Sequence, residues 1–284
     1  MSTKYSSAHE RFYKEFISRQ RILFTPEDQE KIRRAVFVIA GLGANGGPAA
    51  IALVRMGAEH IKLIDHDMVE ISNLNRQPYF LMDVGTYKVD ALKRYLKAIN
   101  PFADVTIFRE KLSKNNVDKV LKDAHVVIDA MDDYRAKVIL CRKAKEKRVP
   151  VVHTAGAGFR GSVTVFLPEN ITYEEMFRLP SVGRNLKSVH DREFLTHRRY
   201  VASIIGRGMY PDEIINRMDD PCQPWYTAAV APMVAGVLAA MEAIKIVIGQ
   251  KSRIIAAPNI LQIDVLNNIY EIFEFGKEKI TAYW

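Results

Sequence analysis

Val36-Phe37-Val38-Ile39-Ala40-Gly41-Leu42-Gly43-Ala44-Asn45-Gly46-Gly47 decides the fold. A run of branched and aromatic residues entering a glycine cluster reads as a buried strand, Val36–Ile39, and a tight turn. Ala44–Met56 then continues as a helix launched from the glycines. Such a turn brings backbone N–H groups and a helix N-terminus to anionic oxygens, with Gly41, Gly43 and Gly46 as the candidate cradle. Nicotinamide and flavin enzymes share this signal, so the turn alone names no ligand. His60–Ile64 reads as a second strand, and Asp65 at its end suits two ribose hydroxyls. No Gly-Lys-Ser/Thr loop occurs, so a triphosphate here must draw its cations from elsewhere.

Those cations follow the second strand. Asp65-His66-Asp67-Met68-Val69-Glu70-Ile71-Ser72-Asn73-Leu74-Asn75-Arg76-Gln77 puts amides and a guanidinium just past the strand end, and Lys88 adds an ammonium. Attack of a carboxylate on an α-phosphate builds negative charge on the phosphoryl oxygens and on the departing pyrophosphate. Preorganised cations such as Arg76 and Lys88 stabilise that charge, whereas a nicotinamide enzyme has no need of the pair. Asp129-Ala130-Met131-Asp132-Asp133 closes the fourth strand with acids able to hold Mg²⁺ together with phosphates. Asp132 or Asp133 serves equally as the cap of the next helix, and each acid can take one of the two roles.

The rest of the chain supports a doubly wound, Rossmann-like α/β fold with a mostly parallel sheet. Lys88–Ile99, Asn115–Leu121 and Tyr134–Lys147 read as helices, and Asp104–Phe108, Val126–Asp129 and Val151–Thr154 as strands. Ser162–Leu167 alternates like a strand, and Ile260–Leu266 and Ile269–Phe275 flank Asn267-Asn268 as a hairpin, giving antiparallel strands near the C-terminus. Residues 1–30 form an N-terminal helical segment, and 31–284 a single domain with an irregular basic insertion at about 170–221. Pro211-Asp212-Glu213 in that insertion looks like a short helix start. The 284 residues and 48% hydrophobic content allow one large core. Met1–Ser7 shows no apolar run, and two cysteines make no disulfide framework, so a cytoplasmic protein is expected. Ala228–Ile248 is long and apolar enough to span a bilayer, yet it carries Glu242 and Lys245 and reads as a buried helix rather than a membrane segment. The net charge of +8 points to an acidic partner, either a protein or RNA.

From about Arg19 to Gly249 the order of motifs resembles the ThiF/MoeB/HesA family of the ubiquitin-activating superfamily. The resemblance rests on Arg19-Gln20, the glycine loop, Asp65, Asn73, Arg76, Gln77, Lys88, Asp132 and the Ala231-Pro232 to Lys245 helix. It implies ATP-dependent adenylation of the C-terminal carboxylate of a small ubiquitin-like or sulfur-carrier protein. By resemblance Asp65 holds ribose, Asn73, Arg76, Gln77 and Lys88 contact phosphates, and Asp132 coordinates Mg²⁺. The same likeness sends Arg19 into the ATP site of a partner subunit, making a homodimer, with Phe12, Tyr13, Phe16 and Ile17 as a possible contact.

Two departures from the family pattern stand out. Tyr173-Glu174-Glu175-Met176 occupies the place of a first Cys-x-x-Cys, and the tail beyond Phe275 has no cysteine, so no structural zinc is expected. Ala44-Asn45 replaces the usual glycine and small apolar residue. Cys222, in Asp220-Pro221-Cys222-Gln223-Pro224, is similar in position to the cysteine with which some relatives accept the activated carrier; flanking prolines and acids argue against it. Cys141 reads as core, and His153 as a hydrogen-bonded structural residue close to the site. Two other readings remain: a tRNA-modifying dehydratase of the same fold, favoured by the basic Arg184–Arg199, and a nucleotide-binding scaffold without catalysis.

Overall fold

The computed structural model describes residues 6–205 and 208–275; the expectations on the first residues and on the tail beyond Phe275 lie outside the described residues. Five parallel strands, β1 (Val36–Ala40), β2 (His60–Ile64), β3 (Asp104–Phe108), β4 (Val126–Asp129) and β5 (Val151–Ala157), stand in the order 3-2-1-4-5. Three antiparallel strands, β6 (Arg160–Phe166), β7 (Asn259–Asp264) and β8 (Ile269–Glu274), continue the same sheet. β1 is buried on both faces because helices cover both. Phe37 and Ile39 pack with α3 (Gly46–Arg55), α4 (Lys88–Ile99) and α10 (Val230–Val247). Val38 and Ala40 pack with α5 (Val117–Val120) and α6 (Tyr134–Glu146) on the other side.

Register positions the site. Phe108, Ile64, Ala40, Asp129 and His153 form one row across five parallel strands. The loops after β1, β2 and β4 therefore leave the sheet level with one another. Strand order reverses between β1 and β4, the crevice where doubly wound sheets bind ligands.

Several boundaries move for physical reasons. α3 starts at Gly46 rather than Ala44, because Gly43–Asn45 stay in the turn. β5 runs on to Ala157, since the antiparallel return of β6 extends its pairing. The insertion is more regular than its composition implies: α7 (Tyr173–Met176), α8 (Asp191–Ile205) and α9 (Asp212–Asn216) lie in it. Two of its basic residues are paired within the chain, Arg184 with Glu193 and Arg199 with Asp219. α10 is the one described helix long and apolar enough to cross a membrane, and it packs against α3 and against β4–β6. Its small residues permit that approach: a Cβ on Gly236 would lie 2.1 Å from the Asn45 carbonyl oxygen.

The N-terminal segment consists of α1 (Ser7–Phe16) and α2 (Pro26–Arg34), and α2 runs past residue 30 directly into β1. Its aromatic face is used inside its own chain. The Tyr13 hydroxyl donates to the Gly57 carbonyl at 3.0 Å, and Phe12 stacks with Phe16 and packs on Phe102. Buried Glu59 holds α1 and α2 together through His9 at 2.6 Å and Arg33 at 2.9 Å. What faces outward is the turn beside Arg19, with Ile22 89% and Leu23 72% exposed.

Candidate active site

A cleft of about 840 Å³ opens over the C-terminal ends of β1, β2 and β4. Its floor is the glycine turn. Gly41 adopts φ +85°, a left-handed conformation that side chains resist. A Cβ on Gly46 would lie 1.9 Å from the Gly41 carbonyl oxygen, so Gly46 sits under the turn and keeps it tight rather than lining the cleft. Gly43 has room above it and faces the opening.

Asp65 is held by the turn it serves. The Leu42 N–H donates to Oδ2 at 2.7 Å and the Asp67 N–H to Oδ1 at 2.8 Å. Burial pushes this carboxyl up, against the pull of Lys88 and of the two N–H groups. Each oxygen keeps acceptor capacity beyond that one bond, and Asp65 lines the cleft. Lys88 is the first residue of α4, where the helix dipole disfavours a cation; its ammonium pairs with Asp67 at 2.8 Å and faces the cleft. Gln77 is buried against Gly43, with Oε1 lacking a partner. Asn73 is the exception among the expected contacts. Its Oδ1 accepts from the Glu70 N–H at 3.1 Å, capping its own turn, and it does not line the cleft.

The two acids after β4 divide the roles left open by the sequence. Asp133 caps α6 by accepting from the Ala136 N–H at 2.8 Å, and it pairs with Lys111. Asp132 is exposed to the cleft, with no hydrogen bond or ion pair among the described residues. Asp129 is withdrawn from any surface metal site, because it is fully buried with Lys137 and His153.

The sequence reading missed one cation. Arg198 of α8 reaches into the cleft, stacks over Trp225 at 5.2 Å and donates to the Gln223 carbonyl, while its buried Nε lacks a partner. Burial pulls its pKa down. The signal was present only as a basic stretch; without a visible helical face nothing singled this arginine out. Lys111 and Arg135 also line the cleft, but Asp133 and Asp191 pair with them. Among the described cleft residues, Arg76 and Arg198 lack an ion-pair partner, and so do the carboxylates Asp65, Glu110 and Asp132. Arg76 donates only to the Ser72 carbonyl and the Asn75 side chain. Two cations free of carboxylates suit an anion, and the exposed Asp132 suits a divalent cation bound with it.

Cys222 lies on the cleft wall, exposed, its N–H bonded to Asp220. α10 begins only at Val230, so a length of loop separates the thiol from that helix end. Cys141 is core, and burial pushes its thiol well up. Arg19 does not line this cleft. Its neighbour Gln20 bonds the Met56 carbonyl at the C-terminal end of α3, a full helix length from the glycine turn.

The ThiF family pattern matches residues 17–282. The chain belongs to the ThiF family. It is 31% identical over 153 residues, 54% of its length, to the SAMP-activating enzyme E1 of Haloferax volcanii, covering 57% of that protein. It is 34% identical over 142 residues, 50% of its length, to the sulfur carrier protein adenylyltransferase of Thermus thermophilus, covering 52% of that protein. The chain thus spans about half the length of the curated relatives it matches. Among solved structures, E. coli MccB with AMPCPP and MccA superimposes with a TM-score of 0.69 at 21% identity, over 98% of this chain and 74% of that one. This ThiF-family chain shares the fold of that neighbour.

Proposed function

We propose that this ThiF-family protein is an ATP-dependent adenylyltransferase acting on the C-terminal carboxylate of a small ubiquitin-like or sulfur-carrier protein. Two unpaired cations carry the reading: Arg76 and Arg198 line the same cleft as the glycine turn and the exposed carboxylate of Asp132. Partnerless buried atoms of Asn45, Gln77, Gln223 and Arg198 at the same walls fit a polar ligand. The names of the sequence relatives agree.

Asp65 receives the ribose hydroxyls, and the glycine turn with Gln77 faces the phosphates. The substrate carboxylate attacks the α-phosphorus as the bond to the bridging oxygen breaks, giving an acyl adenylate and pyrophosphate. Arg76, with Lys88 and Arg198 beside it, takes up the charge that moves onto the leaving oxygens. Asp132 would hold Mg²⁺, which supplies further charge neutralisation when bound. Arg19 serves the partner's site in a homodimer, and the reaction runs in the cytoplasm.

ATP–pyrophosphate exchange with a sulfur-carrier protein, compared with tRNA, tests the reading. Exchange is expected with the carrier alone, and exchange driven by tRNA would support the dehydratase instead. Arg76→Ala should cut exchange by on the order of a hundredfold or more with the melting temperature unchanged. Normal exchange in a folded variant removes Arg76 from the mechanism.

Cys222 acts after adenylation, as an exposed thiol that takes the acyl group from the adenylate and releases AMP. Cys222→Ser should keep exchange and lose any thioester trapped on the enzyme. Collapse of exchange itself would place the thiol in the first step.

A further inference from the structure

A cavity of about 160 Å³ lies between α6, α7 and the ends of β5 and β6 where Val151 pairs with Phe166. It shares no lining residue with the ATP cleft. Its body is apolar. Val149, Val151, Phe166 and Tyr173 are each nine-tenths or more buried yet line it, and Cys141 and Ile171 complete the wall. Burial pushes the Cys141 thiol well up, so it stays neutral and acts as a small apolar group. An apolar cavity of this size stays dry and takes up benzene. Wall atoms facing a void lack contacts on one side, and an occupant with an apolar body restores them.

The rim is charged, and its charges differ in what they have left to bind. Glu174 accepts from Arg142 through both oxygens, at 2.7 and 2.6 Å, and Arg142 also donates to the Ser181 carbonyl at 2.8 Å. That pair is closed within the chain. Lys145, also on the rim, has no ion pair among the described residues; its ammonium donates to the neutral Asn170 carbonyl at 3.1 Å. Glu175 feels the Lys145 charge, but its Oε2 already accepts from the Thr172 N–H at 2.9 Å and the Thr172 hydroxyl at 2.7 Å. One ammonium beside a dry cavity is the charge still to be met.

We propose that this cavity binds a small carboxylic acid of about six to eight carbons, with an aromatic or branched body inside and the carboxylate on Lys145 Nζ. Charge complementarity sets the head group. A carboxylate offers the ammonium a charged acceptor where a neutral carbonyl now stands. An amine head meets Lys145 as a like charge, and an alcohol keeps the body but gives up the attraction. Tyr173 is the partition on the inner side: its ring lies 5.2 Å from that of His153 and 5.9 Å from Lys137 Nζ. The occupant therefore touches a ring that packs on the buried cluster behind β4, while the ATP cleft stays free.

The test titrates the full chain with phenylacetate, 2-phenylethanol and 2-phenylethylamine, which share a body and differ in head group. Calorimetry should show a single class of site for phenylacetate, at least about fivefold tighter than for the alcohol, with the amine weaker still. Methyl resonances of Val149, Val151 and Ile171 should shift during the phenylacetate titration. Lys145→Met keeps the aliphatic stem and removes the charge. It should erase the advantage of the acid over the alcohol and leave the melting temperature unchanged, because Lys145 is exposed. Equal binding of acid and alcohol, or an acid preference that Lys145→Met leaves untouched, overturns the site. Shifts confined to the ATP cleft overturn it as well. No binding of any of the three at about 10 mM, enough to detect even inefficient ligands of this size, would leave a dry packing void only and end the proposal.

Discussion

Asp132 and Asp133 are neighbours of the same chemistry with different work, and only their surroundings separate them. Asp133 satisfies the exposed N–H groups at the start of α6, whereas Asp132 projects into the cleft unpaired. Asp133→Ala should lose a helix cap worth about 1 kcal/mol, lowering the melting temperature by about 2 °C with exchange near normal. Asp132→Ala should do the reverse, keeping the melting temperature and losing exchange by about a hundredfold or more. Calorimetry and exchange assays on the two variants check both halves. Matching effects from the two would show that the acids act as one unit. Asn73 teaches the same lesson in the other direction: its amide spends its hydrogen bonds on its own turn, which carries Arg76.

At the scale of elements, α3 and α10 form the mechanical base of the site. The glycine turn must hold its backbone N–H groups in place, and α10 presses on it through Gly236 against the Asn45 carbonyl. Gly236→Ala puts a methyl group where backbone already stands. Overpacking of this kind costs about 1–3 kcal/mol. The displaced turn should also weaken ATP binding, which separates the effect from loss of stability alone. Denaturation and ATP titration of the variant measure the two; unchanged values for both would show that α10 does not brace the turn. α8 acts on the opposite wall: Arg135 ties its start to α6 through Asp191 and the Leu186 and Val189 carbonyls, which brings Arg198 over the cleft.

At the scale of the whole molecule, Arg19 makes no side-chain hydrogen bond or ion pair among the described residues. It lies near the C-terminal end of α3, away from its own cleft, on a turn that exposes Ile22 and Leu23. A guanidinium supplied in trans adds charge at the polyphosphate without crowding its own loop, as an arginine finger does. Mixing Arg19→Ala with Asp132→Ala subunits should restore exchange, because some heterodimers carry one site with both residues intact. Proven subunit exchange with no return of activity would confine Arg19 to its own chain or to no catalytic role.

The sequence by itself determined the βα order, the glycine turn, Asp65, and Arg76 and Lys88 as cleft residues, because local periodicity and short-range turn chemistry fix these within one βα unit. It also marked α10 as a packed helix through its small residues and its two charges. The tertiary structure decided what depends on neighbours distant in the chain. Which acid caps and which stays free follows from the path of one turn against the next. α8 and Arg198 were hidden because that helix buries its face on a wall made of segments far away in sequence. The buried cluster of Asp129, Lys137 and His153 is of the same kind: its members meet only when β4, α6 and β5 pack together, and their pairing follows from burial, which no linear pattern records.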